Sequence, residues 1–218
     1  MTMDWRPAHE VLAKTKVPEG YRLEQMTRED VPIAASRIRQ WYPDIVVGME
    51  SPHLSEAFWL EHTLLAGETE DRALFPIVAR HAQDGVVAVI TYEKNSLARS
   101  ITSRLGVLAA EHRHTGLGLL GPILLEELGR AIGAELAYYF ATLKTKHQQV
   151  IAERRGFRLV GIVPGYDRDM INPGETKRVY EALYAKLLVG PEQVFTPPAS
   201  ALTPATQAVW RALFESTP

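Results

Sequence analysis

The stretch AEHRHTGLGLLG, residues 110–121, decides the fold because its three glycines lie where a strand-like run gives way to a helical one. The run before it, RLGVLAA (residues 104–110), is apolar, and residues 118–132 carry leucine and isoleucine at helical spacing. The first N–H groups of a helix have no partner within the helix, and that end is electropositive. A loop without side chains at this point lets phosphate oxygens approach bare amides.

The charge of this stretch and the absence of side chains at its glycines favour a phosphate ligand. Gly116 and Gly118 leave the backbone uncovered, and Arg113 adds a guanidinium that can pair with phosphate oxygens. The one acid of the stretch, Glu111, precedes them at the end of the strand. A tight turn without a ligand is the alternative interpretation of the same glycines.

The glycine spacing also matches the Gly-x-Gly-x-x-Gly fingerprint of dinucleotide-binding folds, at Gly116, Gly118 and Gly121. Three features weaken this alternative. The residues EHRHT separate the strand from the first glycine, residues 141–146 (ATLKTK) carry no acid where the fingerprint places one, and a hairpin precedes the loop instead of a βαβ unit. A dinucleotide-dependent oxidoreductase stays open as the weaker alternative, and the phosphate-binding pattern of ATPases is absent.

Strands and helices are predicted on both sides of this stretch. Before it, the pattern predicts a strand at 21–25, a helix capped by Thr27, a helix capped by Ser55 and ended by Gly67, and a hairpin of 73–81 and 85–93. Asp84 and Gly85 form the turn of that hairpin. After it, the pattern predicts a helix at 118–132, a strand at 134–143, a helix at 146–155 stopped by Gly156, and a strand at 157–163. Residues 178–188 fit either a strand or a helix.

Composition excludes several classes of protein. The chain has 218 residues, and 24 Lys and Arg against 26 Asp and Glu leave no basic excess for a nucleic acid partner. The absence of cysteine excludes disulfides, thiolate metal sites and a cysteine nucleophile. No apolar run approaches the roughly 18 residues of a membrane span, and the start MTMDWRPAHE is too polar for a signal peptide. We therefore expect a cytoplasmic protein without a membrane partner.

The predicted organisation is one domain with two extensions. Residues 1–20 form an N-terminal lead-in, 21–188 form the domain, and 189–218 form a Pro- and Thr-rich linker with a last helix. The apolar side chains of that helix lie on one face, at Val209, Trp210, Leu213 and Phe214. This face must dock on its own domain or on a second copy, which makes a homodimer a candidate assembly.

The motif Arg113-x-x-Gly116-x-Gly118, between a strand and a helix, resembles the acyl-coenzyme A pyrophosphate loop of the GNAT superfamily of N-acetyltransferases. Residues 110–118 align without gaps with that family's usual Pro-Glu-Tyr-Arg-Gly-Lys-Gly-Ile-Gly. Residues 156–157, Gly-Phe at the end of a helix, are similar to its second signature. The order of predicted elements is also the order of that family.

The resemblance implies an α/β (α+β) fold with a mixed, mostly antiparallel central sheet and helices on both faces. The sheet would be splayed between the strand ending at Ala110 and the strand at 134–143, and an acetyl group would pass from acetyl-coenzyme A to a primary amine of a small molecule or a protein. The implied coenzyme contacts are Leu108, Ala109 and Ala110 for the pantetheine arm, and Arg113, His114, Thr115, Gly116, Leu117, Gly118 and Leu119 for the pyrophosphate.

The sequence departs from the family pattern at three positions. Thr115 stands where Lys or Arg is usual, and His114 where Gly is usual, which leaves less positive charge for the pyrophosphate. Many members protonate the leaving thiolate with a Tyr, and Ala152 occupies its place. A non-catalytic acyl-coenzyme A-binding sensor is therefore the main alternative function.

Acid–base chemistry needs other residues. An alkyl ammonium has a pKa near ~10, so a base or a water wire must remove its proton. Glu93, at the end of the hairpin strand, and Glu111 are the candidate bases. Tyr138 and Tyr139 are the candidate acids, and strand alternation sends one to each face. A backbone N–H within residues 108–110 would stabilise the carbonyl oxygen as it gains charge.

Metal binding is not expected from the sequence. His112-x-His114 near Glu111 lacks a third ligand at helical spacing, and HExxH is absent. The segment before the hairpin is acidic, at Glu50, Glu56, Glu61, Glu68, Glu70 and Asp71. An acidic wall would suit a cationic amine, and a solvated helix face is the alternative interpretation.

Overall fold

One mixed sheet runs through the molecule. The computed structural model describes residues 3–215, and within them seven strands pair in the order β1-β2-β3-β4-β5-β7-β6. The strands are β1 (Tyr21–Gln25), β2 (Leu74–His81), β3 (Gly85–Asn95), β4 (Ser100–Leu108), β5 (Leu136–Thr142), β6 (Arg158–Asn172) and β7 (Glu175–Leu187). Neighbours are antiparallel except for β4 and β5, which are parallel. The predicted mixed, mostly antiparallel sheet is confirmed.

The hairpin predicted around Asp84 and Gly85 is also confirmed. β2 and β3 pair from Leu74 opposite Glu93 to His81 opposite Gly85. Gly85 has a φ of +70°, in the left-handed region that side chains disfavour. The turn residues therefore fix the register of the pair.

Residues 178–188, which fit a strand or a helix by period, form most of β7. This strand pairs with β5 on one side and with β6 on the other. Ala182 and Tyr184 are buried on one face of the sheet, so Leu183 between them faces the other side. β6 extends beyond the predicted 157–163 because its pairing with β7 continues to Asn172.

Within the described residues, six α-helices accompany the sheet. They are α1 (Ala8–Leu12), α2 (Val31–Trp41), α3 (Glu56–His62), α4 (Leu120–Ala131), α5 (His147–Arg154) and α6 (Pro204–Trp210). The predicted cap Thr27 precedes α2, and its N–H and hydroxyl donate to the Asp30 carboxylate at 2.9 and 2.8 Å. None of the helices in residues 3–215 combines the length and apolarity that crossing a membrane requires.

The helix predicted from Ser55 ends before Gly67. Thr63 forms an isolated bridge with Leu74, and the Leu64 N–H donates to the Leu74 carbonyl at 2.8 Å. A backbone that pairs with a strand cannot continue an α-helix, so α3 stops at His62.

Two apolar cores lie on the two faces of the sheet. On one face, Leu124 and Leu128 of α4 pack with residues of α1 and α5. On the other face, Ile38 of α2 and Trp59 of α3 are fully buried. The predicted placement of helices on both faces is therefore confirmed.

The N-terminal segment belongs to the α4 side of the molecule. Met3 is buried, and its carbonyl accepts a hydrogen bond from Lys94 Nζ at 2.5 Å. Trp5 stacks on Phe75 with ring centroids 4.9 Å apart, and its Nε1 donates to the Arg72 carbonyl at 2.8 Å. The segment thus contributes side chains to the same core as the sheet.

The last helix leaves much of its apolar face exposed. Val209 is 56% exposed and Phe214 is 37% exposed. Trp210 and Phe214 have ring centroids 4.7 Å apart, and the Arg158 guanidinium lies 5.9 Å from the Phe214 ring. Ser216, which the pattern included in this helix, lies outside the described residues.

Candidate active site

A gap between β4 and β5 is the central feature of the site. The two strands pair in parallel only as far as Ser103 opposite Tyr139. β4 then continues to Leu108 and β5 to Thr142, and no strand of the described chain lies between them. The second half of β4 therefore turns an unpaired backbone edge toward the gap.

A bulge in β4 lies where the gap opens. Relative to β3, the strand carries one extra residue between Ser103 and Gly106. The Leu105 N–H donates to Thr91 Oγ1 at 3.0 Å, a side-chain bond in place of a ladder bond. Bulges of this kind re-aim side chains and often lie beside functional sites.

Gly106 faces open space beside the gap. It is exposed, and a Cβ built on it would meet no atom within 4 Å. Leu105 and Val107 are buried in the core under α2 and α3, so position 106 points to the face that carries α4 and α5. A glycine inside a strand often marks the close approach of a ligand.

The glycine loop, residues 109–119, leads from β4 to α4. It contains two short 3-10 turns that Gly116 connects with a φ of +91°. Within residues 3–215, the amides of His114, Gly116 and Gly118 donate to no other group. A Cβ at Gly118 would meet no atom within 4 Å. Uncovered donors at the start of a helix suit an anionic diphosphate.

The side chains of the glycine loop point both outward and inward. Arg113 and His114 are exposed, and neither forms an ion pair in the described part of the chain. Thr115 Oγ1 donates to the His112 carbonyl at 2.7 Å, and Leu117 is buried. Thr115, which stands where the family usually has Lys or Arg, therefore stabilises the turn.

The remaining predicted coenzyme contacts border the gap and the loop. Leu108 ends β4, and the Ala109 N–H donates to the Val87 carbonyl at 2.9 Å. Ala110 is exposed, and Leu119 is 42% exposed at the entry to α4. Their contacts with a coenzyme stay a prediction.

Of the four predicted acid–base residues, the structure brings two together. Glu93 and Tyr138 line the same surface depression, and Glu93 accepts a hydrogen bond from Arg104 Nη1. Tyr139 is buried on the opposite face, and its hydroxyl donates to Gln148. Burial raises the pKa of Tyr139. Strand alternation thus separates the two tyrosines, as the sequence indicates.

Glu111 lies away from this depression. It is exposed on the first turn of the glycine loop, and it makes no hydrogen bond or ion pair with the residues that the structure covers. Glu93 is opposite Thr102 on β4, and roughly 20 Å of strand separates Thr102 from Leu108. The two predicted bases therefore cannot serve the same reacting atoms.

An acidic cluster spans the gap on the side of α2 and α3. It consists of Glu50, Glu93, Asp167, Asp169 and Glu181. Arg104 pairs with Glu50 at 2.9 Å and with Glu93, and Lys144 pairs with Asp169 at 2.6 Å. Within the described residues, five carboxyl groups thus share two cations, which leaves a negative surplus.

The segment before α3 closes one side of the acidic cluster. Gly48 has a φ of +93°, and a Cβ on it would lie 2.3 Å from the Arg168 carbonyl oxygen. The Met49 N–H donates to Asp167 Oδ1 at 2.9 Å. Burial raises the pKa of Glu50, although its guanidinium partner opposes that shift. Only glycine fits this close contact between the segment and β6.

Glu181 is a carboxyl group that sequence reasoning missed. It lies on β7 opposite Thr142 of β5, and no donor or cation of residues 3–215 pairs with it. Burial and the neighbouring carboxylates of Asp167 and Asp169 raise its pKa to about 7. A carboxyl group with such a pKa can accept protons near neutral pH. The only local signal was a single acid in the apolar run VYEALY.

Comparison with solved structures identifies the fold. Mutant forms of the spermidine/spermine N-acetyltransferase SpeG from Vibrio cholerae match with a TM-score of 0.61 and 17% identity over 78% of this chain and 94% of theirs. The IAA acetyltransferase from Bacillus cereus matches with a TM-score of 0.54 and 15% identity over 77% of this chain and 99% of its own. No protein-family model and no curated protein matches the sequence.

These matches agree with the observed architecture over most of the chain. The sheet parts between β4 and β5, helices cover both faces, and the glycine loop leads into α4. The resemblance that residues 110–118 predicted is confirmed at the level of the fold: the chain has the fold of the GNAT superfamily of N-acetyltransferases.

Proposed function

We propose that the protein is an N-acetyltransferase that moves an acetyl group directly from acetyl-coenzyme A to a primary amine. The observation that carries this proposal is the unpaired edge of β4, which leads from the bulge to the uncovered amides of the glycine loop. An extended arm with amide groups can pair with such an edge as an added strand does. The acetyltransferases that share the fold support the same reaction class.

The residues present fit the coenzyme. The amides of His114, Gly116 and Gly118 would hold its diphosphate, and the exposed Arg113 guanidinium would add counter-charge. The open space over Gly106 leaves room for the pantetheine arm. When bound, acetyl-coenzyme A supplies the acetyl thioester, and the chain supplies orientation and proton transfer.

The acidic cluster favours a cationic amine as acceptor. Its negative surplus attracts an ammonium group and raises the local concentration of cations. The Vibrio cholerae enzyme with the same fold is named for spermidine and spermine, which supports a cationic small molecule. An amine on a protein is the alternative acceptor.

Glu181 is the candidate base. An ammonium with a pKa near ~10 must lose a proton before it attacks a thioester. Glu181 has no competing partner in residues 3–215, and its pKa of about 7 lets its carboxylate accept that proton. Glu93 is held by Arg104, and Glu111 lies beyond the far end of β4, so these two predicted bases fit the step less well.

The carbonyl oxygen and the leaving thiolate need donors. A backbone N–H in the second half of β4 would donate to the oxygen as it gains charge. Tyr138 shares its depression with Glu93 and is the candidate donor to the thiolate, whereas the Tyr139 hydroxyl is bonded to Gln148. Ala152 is fully buried where many members have their Tyr, an observation that favours the sensor as second candidate.

Release of free thiol from acetyl-coenzyme A in the presence of an amine panel tests the proposal. The panel pairs polyamines and a lysine peptide with neutral, weakly basic amines, and we expect release that depends on the amine and is fastest with polyamines. Calorimetric binding of acetyl-coenzyme A without such release would indicate the sensor. Thermal stabilisation by NADH but not by acetyl-coenzyme A would indicate the oxidoreductase.

A further inference from the structure

Three potential metal ligands from separate elements meet beside the glycine loop. His81 is the last residue of β2, Asp84 lies in the hairpin turn, and His112 lies on the first turn of the loop. Asp84 Oδ2 lies 2.6 Å from His81 Nδ1 and 3.5 Å from His112 Nε2. One ligand atom from each residue lies within 4.8 Å of the other two.

The His112 ring is held in a position suited to ligation. Its side chain is 11% exposed, and its Nδ1 lies 2.8 Å from the Tyr21 hydroxyl. This contact leaves Nε2 directed at Asp84. Histidines that bind metals commonly use their second nitrogen for a hydrogen bond of this kind, which fixes the tautomer and the ring orientation.

The charge of Asp84 has no Lys or Arg partner within residues 3–215. Its ion pairs are with the two histidines alone. Two imidazoles and one carboxylate form a donor set that first-row divalent metal ions accept. The Asp84 side chain is 55% exposed, so solvent can complete the coordination.

The two distances from Asp84 to the histidine nitrogens are compatible with a tetrahedral site. Bonds of 2.0–2.2 Å to zinc place neighbouring ligand atoms about 3.4 Å apart. The distance from Asp84 to His112 already has this value, and the distance from Asp84 to His81 must lengthen by less than about 1 Å. Asp84 lies in an exposed turn, which permits such a change.

We propose that His81, Asp84 and His112 bind one divalent transition-metal ion, for which Zn²⁺ is the probe. The ion would tie the β2–β3 turn to the first turn of the glycine loop. The site does not depend on the acetyltransferase proposal, because its ligands lie outside the gap and outside the acidic cluster. The sequence pairs His112 with His114, whereas the fold brings it to His81 and Asp84.

Calorimetric titration of Zn²⁺ into the untagged, metal-free protein tests the site. We expect one ion per chain at micromolar affinity or better, and a rise in Tm with Zn²⁺ because the ion binds only the folded state. His81→Gln and Asp84→Asn should each weaken binding at least tenfold, and Tyr21→Phe should weaken it about tenfold through the orienting contact. Titration with Co²⁺ should give the visible absorption of a tetrahedral site.

The matched control is His62→Gln, which removes an exposed histidine on α3. It should leave the Zn²⁺ affinity unchanged. The Tm of each metal-free variant shows whether the fold persists. Absence of binding, or binding that survives both His81→Gln and Asp84→Asn, would overturn the proposal.

Discussion

The glycine loop and the acidic cluster lie on opposite sides of the same gap, and the chain assembles them in different ways. The loop is one continuous stretch whose shape comes from local turns and from Gly116. The acidic cluster draws Glu93 from β3, Asp167 from β6 and Glu181 from β7, and β3 is far from the other two strands in the sequence. A site made of backbone amides can thus be predicted from local sequence, whereas a site made of side chains from several strands depends on topology.

The largest expected effect is a loss of coenzyme binding caused by a substitution at Gly106, beside the gap. Gly106→Val should abolish measurable binding of acetyl-coenzyme A, because its side chain fills the open space beside the β4 edge. Valine suits a strand, so the fold should persist. Isothermal calorimetry measures the affinity, and Gly161→Val on β6, where a Cβ also meets no atom within 4 Å, is the matched control. Unchanged affinity in Gly106→Val would place the coenzyme elsewhere.

The next largest effect is a fall in kcat caused by a change in the acidic cluster. Glu181→Gln should lower kcat by about 10²- to 10³-fold and leave the affinity for acetyl-coenzyme A unchanged, because it removes the proposed base. In the wild type, kcat/KM should rise with pH through about 7 as the Glu181 carboxyl loses its proton. This rise of kcat/KM with pH should be absent in Glu181→Gln. Glu175→Gln, at the start of β7, is the control, and a rise with pH that persists in Glu181→Gln would assign the base to another group.

A change at Gly48 should disturb the acidic cluster without touching the glycine loop. In Gly48→Ala, the Cβ would collide with the Arg168 carbonyl and displace the segment that carries Glu50. We expect KM for a cationic amine to rise about tenfold, with the coenzyme affinity unchanged. Gly67→Ala has a similar φ of +85° and open space around its Cβ, so it reports the backbone strain alone. Equal KM values in Gly48→Ala and Gly67→Ala would show that the segment carrying Glu50 does not contribute to binding of the acceptor.

The last expected effect, similar in size to the change in KM, distinguishes the two faces of β5. Tyr138→Phe should lower kcat by about tenfold, less than usual for an acid because a thiol with a pKa of about 8.5 leaves readily as the thiolate. Tyr139→Phe should leave kcat nearly unchanged and lower the stability by about 1 kcal/mol through the lost bond to Gln148. Turnover measured across pH gives the change in kcat, and urea denaturation gives the change in stability. Loss of activity in Tyr139→Phe alone would reverse the assignment of the faces.

Much of the fold follows from local patterns in the sequence. Asp84 and Gly85 predict the hairpin, and the apolar spacing of residues 118–132 predicts α4 because both depend on neighbouring residues. The end of α3 and the length of β6 escape prediction because Leu74 and β7, distant in sequence, determine them.

The same division holds for the candidate sites. Gly116 and Gly118 predict a phosphate loop because Arg113 lies beside them and because they stand between a strand and a helix, and all of these signals are local. Glu181 could not be found in this way, because its strand also fits a helix and because its raised pKa comes from burial and from carboxylates of β6. The sequence places His112 near His114, whereas its contact with Asp84 and its proximity to His81 depend on the β2–β3 turn lying beside the end of β4.

Calorimetric titration of acetyl-coenzyme A into the wild type and into Gly118→Glu tests most directly whether the loop amides hold the diphosphate. Gly118 has no left-handed φ, and its Cβ would lie in open space, so the fold tolerates the side chain while its carboxylate repels phosphate. We expect the wild type to bind and the variant to lose affinity at least ~100-fold, or about 2.7 kcal/mol. Equal affinity in the two proteins would contradict the central claim.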